Sequence, residues 1–138
     1  IASEKAQFAQ PEIKLGGLAP AAAALFPKIM GEKKAFELIL LGDNISAHEA
    51  EKIGLVNMLA PDTELDSAAE KLAAKLLEKT PLGVKLVKEA FYQCANAADF
   101  STAIRKATEM GIKSWQTEDA QEGLKSFLEK RPPVWKNK

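Results

Sequence analysis

Apolar positions along this chain change their rhythm near Pro61. Beyond it, Leu65, Ala68, Ala69, Leu72, Ala73, Leu76 and Leu77 follow the i, i+3, i+4, i+7 spacing of one helical face, which predicts an amphipathic helix from Asp62 or Thr63 to Lys79. Thr80-Pro81 ends that helix and caps the next, whose stripe is Leu86, Val87, Ala90, Phe91 and Cys94. A third helix is predicted from Asp99, with Phe100, Ala103, Ile104, Ala107 and Trp115, and a last one from Thr117, with Leu124, Phe127 and Leu128. Pro132-Pro133 forbids its continuation.

Before Pro61 the pattern is shorter and punctuated by Gly and Pro. Ala6 to Leu15, with Phe8, Ile13 and Leu15 among polar residues, reads as one or two short strands interrupted at Pro11 and closed by Gly16-Gly17. Pro20 opens a short helix over Ala21 to Phe26, limited by Pro27, with Gly31 as a left-handed stop. Lys33 to Leu41 is a second helix, with Ala35, Phe36, Ile39 and Leu40 on one face and Gly42 closing it. Ser46-Ala47-His48-Glu49 is a capping box for a brief helix ending by Gly54. Leu55 to Leu59, bounded by Gly54 and Pro61, reads as a buried strand.

The expected architecture is therefore a mixed α/β chain, mostly helical with a few short strands, divided into 1–61 and 62–138. Two short strands some forty residues apart do not make a stable sheet by themselves, so their partners are expected from elsewhere. The chain opens on Ile1 rather than Met, which raises the expectation of a piece of something longer.

Composition narrows the function classes. Nineteen basic residues balance nineteen acidic ones, so no overall field gathers nucleic acid. A single cysteine, Cys94, and a single histidine, His48, leave no intrachain disulfide and no metal cluster to propose. No stretch approaches the roughly 20 apolar residues that span a bilayer. A cytoplasmic setting is the expectation.

Four segments carry a resemblance. Ala6-Gln7-Phe8-Ala9-Gln10-Pro11-Glu12-Ile13-Lys14-Leu15-Gly16, Leu41-Gly42-Asp43-Asn44-Ile45-Ser46-Ala47-His48-Glu49-Ala50, Gly54-Leu55-Val56-Asn57, and Glu122-Gly123 with Phe127-Leu128-Glu129-Lys130-Arg131 occur in this order. In order and approximate spacing the chain resembles the C-terminal half of the crotonase (enoyl-CoA hydratase/isomerase) family. The resemblance implies the C-terminal portion of a crotonase-like fold, with 1–61 ending the spiral core and 62–138 forming a helical oligomerisation subdomain. It also implies an acyl-CoA substrate and a homo-oligomer, either a trimer or a dimer of trimers.

Carried over through the Gln-Pro-Glu motif, Glu12 is implied to be catalytic: it faces the thioester beside the alpha carbon, gives that carbon a proton during hydration and removes it in reverse. Adding water across a conjugated double bond requires one group to activate water and another to protonate the enolate, each within hydrogen-bond reach. Taken from the residues alone, Glu12 reads as a solvated glutamate capping a turn; the resemblance reverses that preference. Phe127 and Lys130 match positions that in the family contact the CoA adenine and phosphate region; the plainer reading makes Phe127 core and Lys130 a cation at a helix C-terminus. The family's second glutamate and its two oxyanion-holding amides lie upstream of Ile1, so the isolated chain is expected to be inert. No cofactor is implied, because proton transfer and water addition need neither metal nor redox centre.

Many family members carry a Pro-Gly-Ala-Gly-Gly-Thr-Gln-like stretch where this chain reads Leu18-Ala19-Pro20-Ala21-Ala22-Ala23-Ala24-Leu25-Phe26. Alanine for glycine adds methyl groups and removes positive-φ freedom, giving a more apolar pocket. The same run is similar to cyclohexadiene-carbonyl-CoA hydratases, which suggests a cyclic acyl group. An enoyl-CoA isomerase, needing only one carboxylate, and a noncatalytic oligomerisation module are the competing readings. His48 is expected at the surface and Cys94 in the core, and Trp115 and Trp135 are expected to pack.

Overall fold

Side-chain caps start most of the helices. The computed structural model describes residues 1–138. Its seven α-helices are α1 (Pro20–Met30), α2 (Glu32–Leu41), α3 (Ala47–Lys52), α4 (Leu65–Leu77), α5 (Pro81–Ala95), α6 (Phe100–Trp115) and α7 (Glu118–Leu128). The hydroxyl or carboxylate of Ser46, Thr80, Asp99 and Thr117 accepts a backbone N–H in the first turn of α3, α5, α6 and α7 respectively, satisfying donors that have no partner inside the helix. At Ser46 only half of the expected capping box forms, because the Glu49 carboxylate pairs instead with Lys34 Nζ at 2.6 Å.

Four two-residue strands are present: β1 (Ala2–Ser3), β2 (Gln7–Phe8), β3 (Ile45–Ser46) and β4 (Leu59–Ala60). They find partners within the chain, contrary to expectation. β1 pairs parallel with β4 and β2 antiparallel with β3, in two separate two-stranded ladders. Strand structure is shorter than the apolar runs predicted. After Phe8 the chain turns into a 3-10 helix over Pro11–Leu15, since Pro11 lacks the N–H a ladder needs and its fixed φ suits the first position of a helical turn. Of the second run, Leu55 to Leu59, only Leu59 lies in a ladder strand, which extends one residue beyond it to Ala60. Pro27 does not end α1, which continues to Met30; the ring sits in the helix interior at the cost of the bond to the carbonyl of Ala23.

By contacts the chain divides into two units, Ile1–Leu72 and Ala73–Lys138. In the first, Ala2, Leu38, Ile45, Ala50 and Val56 form a buried cluster with Phe8, Phe26, Met30, Leu55 and Leu59 packed against it. On α2 the buried positions are Ala35 and Leu38, whereas Phe36 and Leu40, predicted on the inner face, are exposed. In the second unit α5, α6 and α7 pack on one another. Much of their apolar stripe is open: Val87, Phe91, Ile104, Trp115 and Leu124 are all exposed. The only fully enclosed larger side chain is Asp119, 1% exposed.

Candidate active site

Strand β2 leads through Ala9-Gln10 directly into the 3-10 turn, so Glu12 is delivered by a segment that is hydrogen-bonded on both sides. Downstream, Gly16 adopts φ +74° and its N–H reaches Ile13 O at 3.0 Å, while Gly17 N–H reaches Glu12 O at 2.9 Å. A left-handed residue in this place closes the turn without the steric cost a Cβ would carry. The Glu12 side chain is half-buried, and its Oε2 is enclosed with no hydrogen-bond partner. An enclosed oxygen left without a donor costs about 1–3 kcal/mol, so a carboxylate in this state is a candidate for chemistry rather than for stability.

Beside it lies a cavity of about 170 Å³ lined by Gln10, Glu12, Ala19, Pro20, Ala21, Ala22, Leu25 and Phe26. Apart from Gln10 and Glu12 its walls are apolar. The run forms a regular helix from Pro20, with Ala19 and Ala22 buried. A second cavity, about 420 Å³, shares Gln10 and Phe26 with the first and is otherwise lined by Gln7, Phe8, Ala9, Leu38, Ile45 and Leu55. A polar group facing an apolar concavity is the common form of a small-molecule site.

Phe127 and Lys130 belong to the second unit. Phe127, 79% exposed, lies at the end of α7 and helps line a cavity of about 390 Å³ with Trp115, Leu124 and Trp135. It is not core. Lys130 lies past the helix at φ +52°, its N–H bonded to Phe127 O at 3.2 Å, so it belongs to the turn that leaves α7 rather than to the helix itself. His48 is exposed on α3. Cys94 is half-buried, its Sγ 3.4 Å from Ala103 O, and Trp135 donates from Nε1 to Glu78 O at 2.9 Å.

Two carboxylates to which the sequence analysis assigns no individual role are structural. Asp119 accepts from the Thr80 hydroxyl, from Lys136 N at 2.7 Å and from Asn137 N at 3.0 Å. The Thr80 hydroxyl and then these two amides hold its carboxyl below the usual range, against the effect of burial. Glu122 takes a two-pronged bond from Arg131, at 2.6 and 3.0 Å, and another from Val134 N at 2.9 Å. The Arg131 guanidinium, with the Val134 amide, draws its pKa down to about 2, and the Arg131 pKa is raised in turn by Glu122 and Glu129. Together they fasten the tail beyond α7. In sequence they are an acid and a base nine residues apart and an aspartate in a first helical turn, patterns too common to single out.

A half-buried Glu on a Gln-Pro turn, with one unsatisfied oxygen and an apolar cavity alongside, can exchange a proton with a largely apolar ligand. The family profile described as enoyl-CoA hydratase/isomerase matches residues 1–138, and the chain belongs to that family. It is 40% identical over 139 residues to a probable mitochondrial enoyl-CoA hydratase of Dictyostelium discoideum, covering 100% of this chain and 50% of that protein. It is 33% identical over 143 residues to the carnitinyl-CoA dehydratase of Salmonella agona, covering 100% of this chain and 54% of the other. The crystal structure of enoyl-CoA hydratase from Bacillus anthracis superposes with a TM-score of 0.92 at 32% identity, over 99% of this chain and 53% of that one. The fold is thus crotonase-like, and the chain spans about half the length of the relatives it matches.

Proposed function

We propose that the protein to which this chain belongs is an enoyl-CoA hydratase, adding water across the double bond of an unsaturated acyl-CoA, with Glu12 handling the proton at the alpha carbon. The observation that carries this reading is the enclosed, unpartnered Oε2 of Glu12 beside an apolar cavity. A carboxylic acid there has an oxygen that no hydrogen bond engages, beside walls that suit an acyl group. Relatives named hydratase and dehydratase, both of which describe gain or loss of water, favour hydration over the double-bond shift of an isomerase. Phe127 and Lys130 are read as contacts for the CoA adenine and phosphates, supported by the exposure of the ring at the edge of an aromatic-walled cavity. The open apolar faces of α4, α5, α6 and α7 support assembly as a homo-oligomer, which we read as a trimer or a dimer of trimers.

The test is Glu12→Gln in the full-length gene product, followed by the ultraviolet absorbance of crotonyl-CoA. General acid–base groups contribute about 10²–10⁴-fold, so kcat is expected to fall by at least about a hundredfold with little change in melting temperature. A variant retaining more than about a tenth of the activity refutes the assignment. The unmutated protein assayed on a 3-enoyl-CoA separates the isomerase reading, since a double-bond shift faster than hydration would favour it.

A further inference from the structure

We propose that Gly42–Ser46 is a positioning rail for the turn that carries Glu12, with Gly42 as its critical residue. The inference rests on the catalytic reading of Glu12. Ile45–Ser46 run antiparallel to Gln7–Phe8, and each of the five residues has its own tie to the segment 7–14. Ser46 pairs with Gln7 and Ile45 with Phe8 in the β2–β3 ladder. Asn44 Nδ2 donates to Gln7 Oε1 at 2.9 Å. Asp43 Oδ1 accepts from Lys14 Nζ at 2.8 Å. Gly42 is buried, and a Cβ added to it would lie 3.0 Å from Gln10 O, 3.0 Å from Ile13 Cγ2 and 3.3 Å from Lys14 Cε. The residues flanking Glu12 on both sides are therefore pressed against one glycine.

The rail is itself fixed at both ends. Gly42 closes α2 at φ +66°, with its N–H on Leu38 O at 3.1 Å, and Leu38 is in the buried cluster. Ser46 caps α3 through Glu49 N at 3.2 Å. A rail anchored by two helices yields less than a five-residue 3-10 turn, so a methyl group at position 42 displaces the turn. Ile13 can swing its side chain aside, but the Gln10 carbonyl belongs to the backbone two residues from Glu12. Moving a catalytic group by about 1 Å costs about a hundredfold in rate, and a few tenths of an ångström is expected to cost on the order of tenfold.

Left-handed strain has to be separated from displacement, and the chain supplies the control. Gly54 has φ +82°, and its added Cβ would meet only Ile29 O at an ordinary 3.5 Å. Gly42→Ala and Gly54→Ala share the conformational cost, but only the first pushes on the Glu12 turn. In the full-length gene product both are expected to lower the melting temperature, while Gly42→Ala alone lowers kcat for crotonyl-CoA by about tenfold with KM within about twofold. Should Gly42→Ala fail to fold, the surface pair Asp43→Ala/Asn44→Ala decides: a drop in kcat of about threefold or more at unchanged KM supports the rail. Restoration of kcat when Lys14→Asp is combined with Asp43→Lys supports it further. A Gly42→Ala protein as active as Gly54→Ala, or an Asp43→Ala/Asn44→Ala protein with unaltered kcat, overturns the inference while leaving Glu12 intact as the catalytic residue. If Glu12→Gln is itself fully active, the catalytic reading falls first and the rail with it.

Discussion

Leu38 joins the core to the candidate site, and its truncation has a calculable cost. The side chain is 6% exposed and packs in the cluster with Ala2, Ile45, Ala50 and Val56. Leu→Ala in a core costs about 2–5 kcal/mol, made up of lost transfer energy and the cavity left behind. Here the new void opens into the existing cavity of about 420 Å³ that Leu38 lines with Phe8, Phe26, Ile45 and Leu55. A void joined to an open one does not collapse, so the transfer loss is kept; water enters it, so the cost stays short of the upper limit. The expectation is about 3 kcal/mol. For a chain of this length that is a fall in Tm on the order of 10 °C. Leu76→Ala on α4, where the side chain is 58% exposed, is expected to cost under about 1 kcal/mol. Urea unfolding followed by far-ultraviolet circular dichroism gives both values, provided the slope is unchanged between variants. A Leu38→Ala cost below about 1 kcal/mol, or no larger than that of Leu76→Ala, would refute this account of the core.

Two further outcomes follow from the second unit. The Glu122 carboxyl titrates near 2 in the folded chain against an ordinary 4.5, so the unfolded chain takes up its proton first as pH falls, and the stability this group contributes is present above about pH 4.5 and lost on the way down to about pH 2. Thermal melts of Glu122→Gln should lie below those of the unmutated protein at neutral pH and converge with them in acid, and a constant gap between the two would contradict the titration. Phe127→Ala and Lys130→Ala in the full-length gene product should raise KM for CoA thioesters with kcat nearly unchanged, since both contacts would lie far from the reacting carbons; a loss of kcat at constant KM would remove them from CoA binding.

Legibility followed the reach of the physics. The helical second half was readable because a 3.6-residue rhythm and the caps Thr80, Asp99 and Thr117 are local properties, and α5, α6 and α7 begin after those residues. Strand pairing was not, since Gln7 meets Ser46 and Ala2 meets Leu59 across long stretches of chain, and a two-residue strand has too little alternation to announce itself. In sequence Pro11 marks an interruption of a strand, whereas in the structure it starts the turn that bears Glu12. Gly42 was visible as a helix stop; its second role, admitting the Gln10 carbonyl, depends on a contact thirty-two positions away that no local pattern encodes.

The carboxylates themselves show why burial alone does not identify chemistry. Asp119 is more deeply enclosed than Glu12, yet Thr80 and two tail amides occupy both of its oxygens. Glu122 is likewise held at both oxygens, by Arg131 and the Val134 amide. An acid whose oxygens are all engaged has no site left to exchange a proton with a substrate, and breaking its bonds to make one costs more than the exchange returns. Glu12 differs in the relevant respect: its Oε2 is enclosed without a donor, and the residue lines an apolar cavity. The surrounding chain spends a buried glycine, an ion pair and a strand ladder on fixing the turn that bears it. Under the proposed function, such fixing is what proton transfer to a defined carbon requires.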